Sequence, residues 1–234
     1  MRALVHVQHL LGTGHVVRAA AIGRALAARG VEVTLASGNA PPPTLRTDGL
    51  RLVALPAVRA VDASFSVLAG PAGEPYAGAL AERRRAILLN LLAETRPDIL
   101  LLETFPFGRR PFAAELVPLV AAARAAPRPP LVAASIRDIL VRKEDPEKGR
   151  AMATAARELL DLVLVHADPA IVRLDDSFPF AAGIDDLVRY TGFVHERPAA
   201  PPSAAAAESG DGAGEVIVSA GGGPVGLELF SAAI

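Results

Sequence analysis

Short aliphatic runs alternate along the chain with longer segments in which apolar residues recur every three or four positions. The runs predict β-strands, and the longer segments predict amphipathic helices. Strands are predicted at residues 4–8, 31–36, 50–55, 99–102, 131–134, 162–165 and 187–191. Helices are predicted at residues 16–29, 79–95, 112–124 and 147–160. Strands that alternate with helices indicate an α/β fold, and we expect a doubly wound parallel sheet.

The turn between the first strand and the first helix is rich in glycine. Gly12 and Gly14 allow a ligand to approach the backbone closely, and the following helix directs its electropositive amino end at the same place. Ligands of parallel sheets bind beyond the carboxyl ends of the strands, where this turn lies. It is not a dinucleotide fingerprint, because Val17 stands where a third glycine belongs and no acidic residue ends the second strand. We therefore exclude an NAD-binding site.

The composition changes sharply near the carboxyl end. Residues 198–214 are mostly Pro, Ala, Ser and Gly, which is typical of a linker, so residues 1–197 are predicted to form one domain. Residues 215–234 repeat the strand, turn and helix plan of the opening, with an apolar strand at 216–218 and a helix at 224–234. One strand and one helix cannot bury their own apolar faces. We therefore expect the chain to stop inside a second domain that it does not complete.

The composition is that of a soluble globular protein, with 51% hydrophobic and 21% charged residues among 234. A formal net charge of -1 gives no electrostatic footprint for nucleic acid. The chain contains no cysteine, which excludes disulfides, thiolate metal sites and thiol catalysis. No uninterrupted apolar run approaches the roughly 20 residues of a membrane-spanning helix. We expect a cytoplasmic protein, with the inner face of the membrane as an open possibility.

Five segments carry a resemblance to a known family. They are residues 8–18, 103–108, 135–139, 190–194 and 219–223, with the sequences QHLLGTGHVVR, ETFPFG, SIRDI, YTGFV and SAGGG. Together they resemble the two-domain Rossmann-like glycosyltransferases of the GT-B fold. Among these, the chain is most similar to predicted bacterial transferases related to the enzyme that adds N-acetylglucosamine to the lipid-linked peptidoglycan precursor.

The resemblance implies an amino-terminal domain that binds the acceptor and a carboxyl-terminal domain that binds a nucleotide-sugar donor. We expect this donor to be a UDP-linked sugar. It also implies transfer with inversion at the anomeric carbon, without a bound metal or another cofactor. The sequence agrees on the metal, because the only neighbouring aspartates, at 175–176 and 185–186, are adjacent and do not point the same way. The largest departure from the family is the absence of most of the donor domain. We therefore expect the isolated chain to be inactive.

Glycosyl transfer needs a base for the acceptor hydroxyl and relief of charge on the leaving diphosphate. His15 could be the base, because it begins a helix at the edge of the expected cleft; otherwise it fixes the glycine turn or a donor phosphate. Glu103 is the rival base, because it ends a central strand at the same edge. Its alternative roles are to cap a helix or to pair with Arg137. The residues leave this choice open.

The remaining candidates are binding residues. On the acceptor side they are Gly12, Thr13, Gly14, Arg18, Arg137 and Asp138. On the donor side they are Gly221, Gly222 and Gly223, whose backbone N–H groups could hold the diphosphate. Arg109 and Arg110 could meet an anionic acceptor, but solvated side chains are expected there. The arginine run at 83–85 is likewise expected on a solvated helix face.

Two other functions fit the same residues. One is a nucleotide-sugar epimerase on the same fold, and the other is a sugar- or lipid-binding module without catalysis. Fold analogy does not separate these from a transferase. An exposed apolar patch that docks the protein on a membrane is also compatible with the composition.

Overall fold

The computed structural model describes residues 1–10, 12–61, 67–141, 145–195, 214, 216–219 and 226–233. The strands in these residues are β1 (Arg2–Val7), β2 (Glu32–Ser37), β3 (Leu50–Ala54), β4 (Arg59–Ala60), β5 (Leu68–Ala69), β6 (Ile99–Glu103), β7 (Leu131–Arg137), β8 (Leu162–His166) and β9 (Val188–Tyr190). Seven of them form one parallel sheet in the order β3-β2-β1-β6-β7-β8-β9. The strands β4 and β5 form a separate antiparallel pair.

The α-helices of the same residues are α1 (Gly14–Ala27), α2 (Ala79–Thr95), α3 (Ala113–Arg124), α4 (Pro146–Leu159), α5 (Leu174–Ser177) and α6 (Leu227–Ala233). Two 3-10 helices lie at Arg110–Phe112 and Ala181–Leu187. The predicted α/β fold with a doubly wound parallel sheet is confirmed. Among the described helices, none is both long and apolar enough to cross a membrane.

The order of the strands reverses between β1 and β6. The chain passes from β1 to its neighbours β2 and β3 on one side, then crosses back to β6 on the other side of β1. The segments that follow β1 and β6 therefore leave the sheet in opposite directions. In open parallel sheets this divergence opens a crevice at the carboxyl ends of the strands, where ligands bind.

Alternate residues of β1 contribute to two apolar cores on opposite faces of the sheet. Val5 and Val7 pack with Val16 of α1 on the first face. Leu4 belongs to the larger core on the second face, which also contains Leu88 of α2 and residues of α3. Successive side chains of a strand point to opposite faces, so the continuous apolar run of β1 is the pattern of a strand covered on both sides.

The second core contains a completely buried arginine, Arg84 of α2. Its guanidinium donates two hydrogen bonds of 2.9 Å to the carboxylate of Glu115 in α3 and one of 2.7 Å to Gln8 Oε1. Its other two N–H groups donate to the carbonyl oxygens of Gly38 and Pro56, at 3.2 and 2.5 Å. All five donors are therefore satisfied, which offsets part of the desolvation of the charge.

The expectation that the arginine run at 83–85 faces solvent is wrong for Arg84. Arg84 lies four residues from both Leu80 and Leu88, so it shares the apolar face of α2. The sequence shows the charge but gives no sign of its partner, because Glu115 is 31 positions away. Arg83 is exposed, as predicted.

Of the strand and the helix that are predicted near the carboxyl end, only the helix forms. Residues 216–218 do not form the predicted strand, and the side chains of Val216 and Ile217 are 88% and 85% exposed. A strand needs hydrogen-bonded neighbours, and the described residues provide none beside this segment. The helix α6 forms within the predicted range 224–234, but none of its residues is buried. Most of the predicted linker at 198–214 lies outside the described residues, so the linker and the domain boundary stay predictions.

We expect the substitution Arg84→Met to lower the free energy of unfolding by about 3 to 5 kcal/mol, because it leaves Glu115 as an uncompensated buried charge. The measurement is urea-induced unfolding at neutral pH. The matched substitution Arg83→Met, on the exposed side of the same helix, should change the value by no more than about 0.5 kcal/mol. The double substitution Arg84→Met/Glu115→Leu should recover part of the loss; a loss equal to the sum of the two single effects would contradict the proposed pairing.

Candidate active site

The first turn of α1 borders the crevice between β1 and β6. The helix begins at Gly14 with Thr13 as its N-cap residue, and its first turn contains no acidic side chain. The amino end of the helix is therefore electropositive. A Cβ atom added at Gly12 or Gly14 would meet nothing within 4 Å, so the turn borders open space. Gly12, Thr13 and Gly14 thus lie beside the crevice, and their role in acceptor binding stays a prediction.

The two rival bases, His15 and Glu103, form one hydrogen-bonded pair. His15 Nδ1 lies 2.8 Å from Glu103 Oε1, although the residues are 88 positions apart. The side chain of Glu103 is 1% exposed, whereas that of His15 is 28% exposed. An ionised carboxylate can only accept, so Nδ1 carries a proton, and Nε2 has a free lone pair whenever the ring is in its neutral form. The crevice therefore presents an imidazole whose ring is oriented by a buried carboxylate.

Arg18 and Thr104 complete the donors around Glu103. The Arg18 guanidinium forms an ion pair with Glu103 Oε1, and Thr104 Oγ1 donates to the same oxygen at 2.8 Å. Burial disfavours the ionised carboxyl, but the hydrogen bond and charge of His15, followed by the charge of Arg18 and the hydrogen bond of Thr104, outweigh burial and hold the pKa of Glu103 below its usual value. A carboxylate with a lowered pKa is a weak base, so the geometry favours Glu103 as the group that orients His15.

The segment after β6 contains two residues with unusual backbone geometry. Thr104 has a φ of 66° and Arg109 a φ of 62°, in the left-handed region that residues other than glycine rarely adopt. A β-branched residue such as Thr104 is a clear outlier there. Its position brings Oγ1 within 3.4 Å of His15 Nδ1 as well as to Glu103. Strained residues of this kind cluster at functional sites.

Arg109 connects the two segments that border the crevice. Its Nε donates a hydrogen bond of 2.7 Å to the carbonyl oxygen of Gln8, which follows β1. The side chain is partly buried, so the expectation of a solvated arginine is wrong at this position. The sequence gives no sign of this contact, because it depends on the left-handed backbone at Arg109. Arg110, by contrast, is exposed as expected.

Three buried histidines lie near the carboxyl ends of β1 and β8: His6, His9 and His166. Burial, reinforced by nearby arginine charges, lowers the pKa of His6 to about 3 and that of His166 to about 4. The ring of His166 lies between Ser135 Oγ and Thr191 Oγ1, at 2.7 Å from each. His6 and His166 are therefore neutral at physiological pH.

The other predicted site residues do not join this cluster. Arg137 Nε donates to Asp138 Oδ1 at 3.3 Å, so these two residues pair with each other at the surface. The alternative pairing of Glu103 with Arg137 is wrong, because Arg137 pairs with Asp138, whereas the ion-pair partners of Glu103 are His15 and Arg18. The donor-side candidates Gly221, Gly222 and Gly223 lie outside the described residues. Within the part of the chain that the structure covers, no group of three or more His, Asp or Glu side chains could hold a metal ion.

The sequence matches one family over most of this region. Residues 13–172 match the glycosyl transferase 4-like domain, and the chain belongs to that family. The expectation of a glycosyltransferase family is thereby confirmed. A comparison with curated proteins gives no match.

The solved structures to which the chain is similar share little sequence with it. The glycosyltransferase SsfS6 from Streptomyces sp. SF2575 is 18% identical over 74% of this chain and 52% of its own, with a TM-score of 0.44. MurG from Acinetobacter baumannii is 13% identical over 84% and 46%, with a TM-score of 0.43. The UDP-GlcNAc 2-epimerase from Methanocaldococcus jannaschii is 8% identical over 81% and 45%, with a TM-score of 0.44. The chain thus spans about half the length of these structures, and similarity at this level says nothing of substrate or reaction.

We expect the free energy of unfolding to fall as the pH falls from about 6.5 to about 4. A histidine of the unfolded chain titrates near 6.5, whereas the folded pKa is about 3 for His6 and about 4 for His166. The unfolded chain binds more protons in this window, so each histidine contributes a slope of up to about 1.4 kcal/mol per pH unit. Urea-induced unfolding at several pH values measures how the free energy of unfolding changes with pH.

The substitution His166→Gln should make this pH dependence shallower between pH 6.5 and 4. A variant with the slope of the wild type would contradict the assignment. Between pH 6.5 and about 4.5, Glu103→Gln serves as the control, because the lowered pKa of Glu103 adds stability that is lost only as the pH falls below about 4.5.

Proposed function

We propose that this protein is an inverting glycosyltransferase in which His15 removes the proton of an acceptor hydroxyl as that oxygen attacks the anomeric carbon of a nucleotide sugar. The observation that carries the proposal is the 2.8 Å hydrogen bond between His15 Nδ1 and the buried carboxylate of Glu103. It occurs in a chain that belongs to a glycosyltransferase family. The proposed donor is a UDP-linked sugar, as the resemblance implies.

The proposed roles follow from the protonation of the pair. With Nδ1–H donated to Glu103, Nε2 of His15 can accept the hydroxyl proton. The imidazolium that forms is stabilised by the negative charge of Glu103, which remains ionised because its pKa is lowered. The exposed fraction of His15, 28%, leaves the ring accessible to a substrate from the crevice. His15 is thus the catalytic residue, and Glu103 is a positioning residue.

The bond from the anomeric carbon to the diphosphate breaks on the face opposite to the attacking oxygen, which inverts the configuration. The nucleoside diphosphate leaves with the bonding electrons and needs hydrogen-bond donors for its charge. We assign this role to the backbone N–H groups of Gly221, Gly222 and Gly223, on the resemblance alone. The proposal then needs no metal ion. It also makes residues 215–234 the beginning of the donor-binding domain.

The first test is the release of nucleoside diphosphate from a panel of nucleotide sugars by the longest form of the protein that the gene encodes. Each donor is assayed with and without a cell extract as the source of acceptor. Release that requires the extract supports a transferase. Release or rearrangement without extract indicates hydrolysis or epimerisation, and binding without any turnover indicates a binding module; both results would contradict the proposal.

Given turnover, we expect His15→Ala to lower kcat by about a hundredfold or more, because the acceptor hydroxyl loses its general base. Steady-state transfer rates at saturating donor measure the effect. His195→Ala is the control, because His195 lines a groove beside the opposite end of α1 with Arg24 and Gly30. An unchanged kcat in the His15 variant would eliminate the role as base.

Glu103→Gln should lower kcat by at least about tenfold, because the amide can no longer stabilise the imidazolium or enforce one tautomer. If the two residues act as a unit, the double variant His15→Ala/Glu103→Gln should be no slower than His15→Ala alone. The same rate assay compares the three variants. If Glu103 were itself the base, Glu103→Gln would abolish transfer while His15→Gln retained most of it.

A further inference from the structure

Arg109 lies across the crevice in which the proposed reaction takes place. Its Cα belongs to the segment after β6, and its Nε bonds the carbonyl of Gln8 in the segment after β1. Among the described residues, this is the one hydrogen bond that the guanidinium makes. Within the described part of the chain, the donors of the terminal nitrogens Nη1 and Nη2 therefore remain available for a ligand.

The charge around Arg109 is incompletely balanced. The charged groups that act on its pKa are Glu103, which raises it, and Arg18, which lowers it along with the larger effect of burial. Two guanidinium groups therefore share one carboxylate, and Arg18 and His15 already occupy Glu103 Oε1. The amino end of α1 adds about half a positive charge at the same edge. The described residues that border the crevice therefore carry more positive than negative charge. An anionic ligand would balance this excess.

The backbone at Arg109 is held in an unfavourable conformation. A φ of 62° at a residue other than glycine is energetically unfavourable and persists only where the surrounding structure enforces it. The side chain of Arg109 reaches back to Gln8, whereas the next residue, Arg110, is exposed and belongs to the 3-10 helix that follows. Arg109 thus combines a strained backbone with a partly buried guanidinium whose charge is not balanced. This combination points to a role beyond folding.

We propose that Arg109 binds a phosphate group of the acceptor substrate and so selects phosphorylated acceptors. This rests on the proposed function in one respect, namely that the molecule bound beside His15 is the acceptor. A phosphate monoester carries a charge of about -1.5 to -2 at neutral pH, which matches the excess of positive charge in the crevice. Its oxygens can accept two parallel hydrogen bonds from the free side of a guanidinium.

The test is direct binding of inorganic phosphate to the 234-residue chain by isothermal titration calorimetry, with acetate at equal ionic strength as a comparison anion. We expect saturable phosphate binding that is weakened at least tenfold in Arg109→Gln and unchanged in Arg110→Gln, the adjacent exposed arginine. Arg109→Lys, which keeps the charge but not the fork of donors, should be intermediate. Circular dichroism melting of each variant confirms that it is folded.

Equal phosphate affinity in Arg109→Gln and the wild type would overturn the proposal, and so would an equal loss in Arg110→Gln or equal binding of acetate. A titration with UDP distinguishes the source of the phosphate. If UDP binds more than tenfold tighter than phosphate and the added affinity is lost in Arg109→Gln, Arg109 serves the donor and the proposal is wrong. These measurements require no turnover, so they stand apart from the kinetic tests of His15.

Discussion

A carboxylate that is buried at the end of a central strand must be compensated, and this requirement organises the carboxyl edge of the sheet. Glu103 is almost completely removed from solvent, and its partners come from α1 and from the residue that follows it. The ion pair with Arg18 and the hydrogen bond with His15 fasten the first turns of α1 to β6. Because β1 and β6 are the strands between which the order reverses, the same contacts hold the two sides of the crevice together.

A second buried carboxylate, Glu115, lies on the opposite face of the sheet. Its charge is compensated entirely by contacts within the protein. Its partner Arg84 uses all five donors on protein acceptors, and neither side chain is exposed. The cluster around Glu103 differs: His15 is partly exposed, and Glu103 Oε2 is buried without a hydrogen-bond partner among the described residues. One network is closed, whereas the other leaves polar groups for a substrate or a water to satisfy.

The alternation of strands and helices was enough to predict the sheet, because each element carries its own periodic signal. The positions of His15 and Glu103 at strand and helix ends also predicted that both residues face one cleft. Their hydrogen bond could not be predicted, because it joins residues 88 positions apart and depends on how α1 is rotated. The burial of Arg84 and the inward turn of Arg109 were missed for a related reason: charge predicts exposure unless a distant partner or a left-handed backbone intervenes.

The separation of the two carboxylate networks decides how changes in this protein should be interpreted. A substitution in the closed network around Arg84 removes protein contacts only, so its effect belongs to stability, and Gln8 is one residue that links this network to the crevice. A substitution in the open network around Glu103 removes both a contact that folds the chain and a group that faces the substrate. Stability and rate must therefore be measured together at His15, Arg18 and Glu103. A loss of rate without a matching loss of stability at those positions reflects the chemistry of the site.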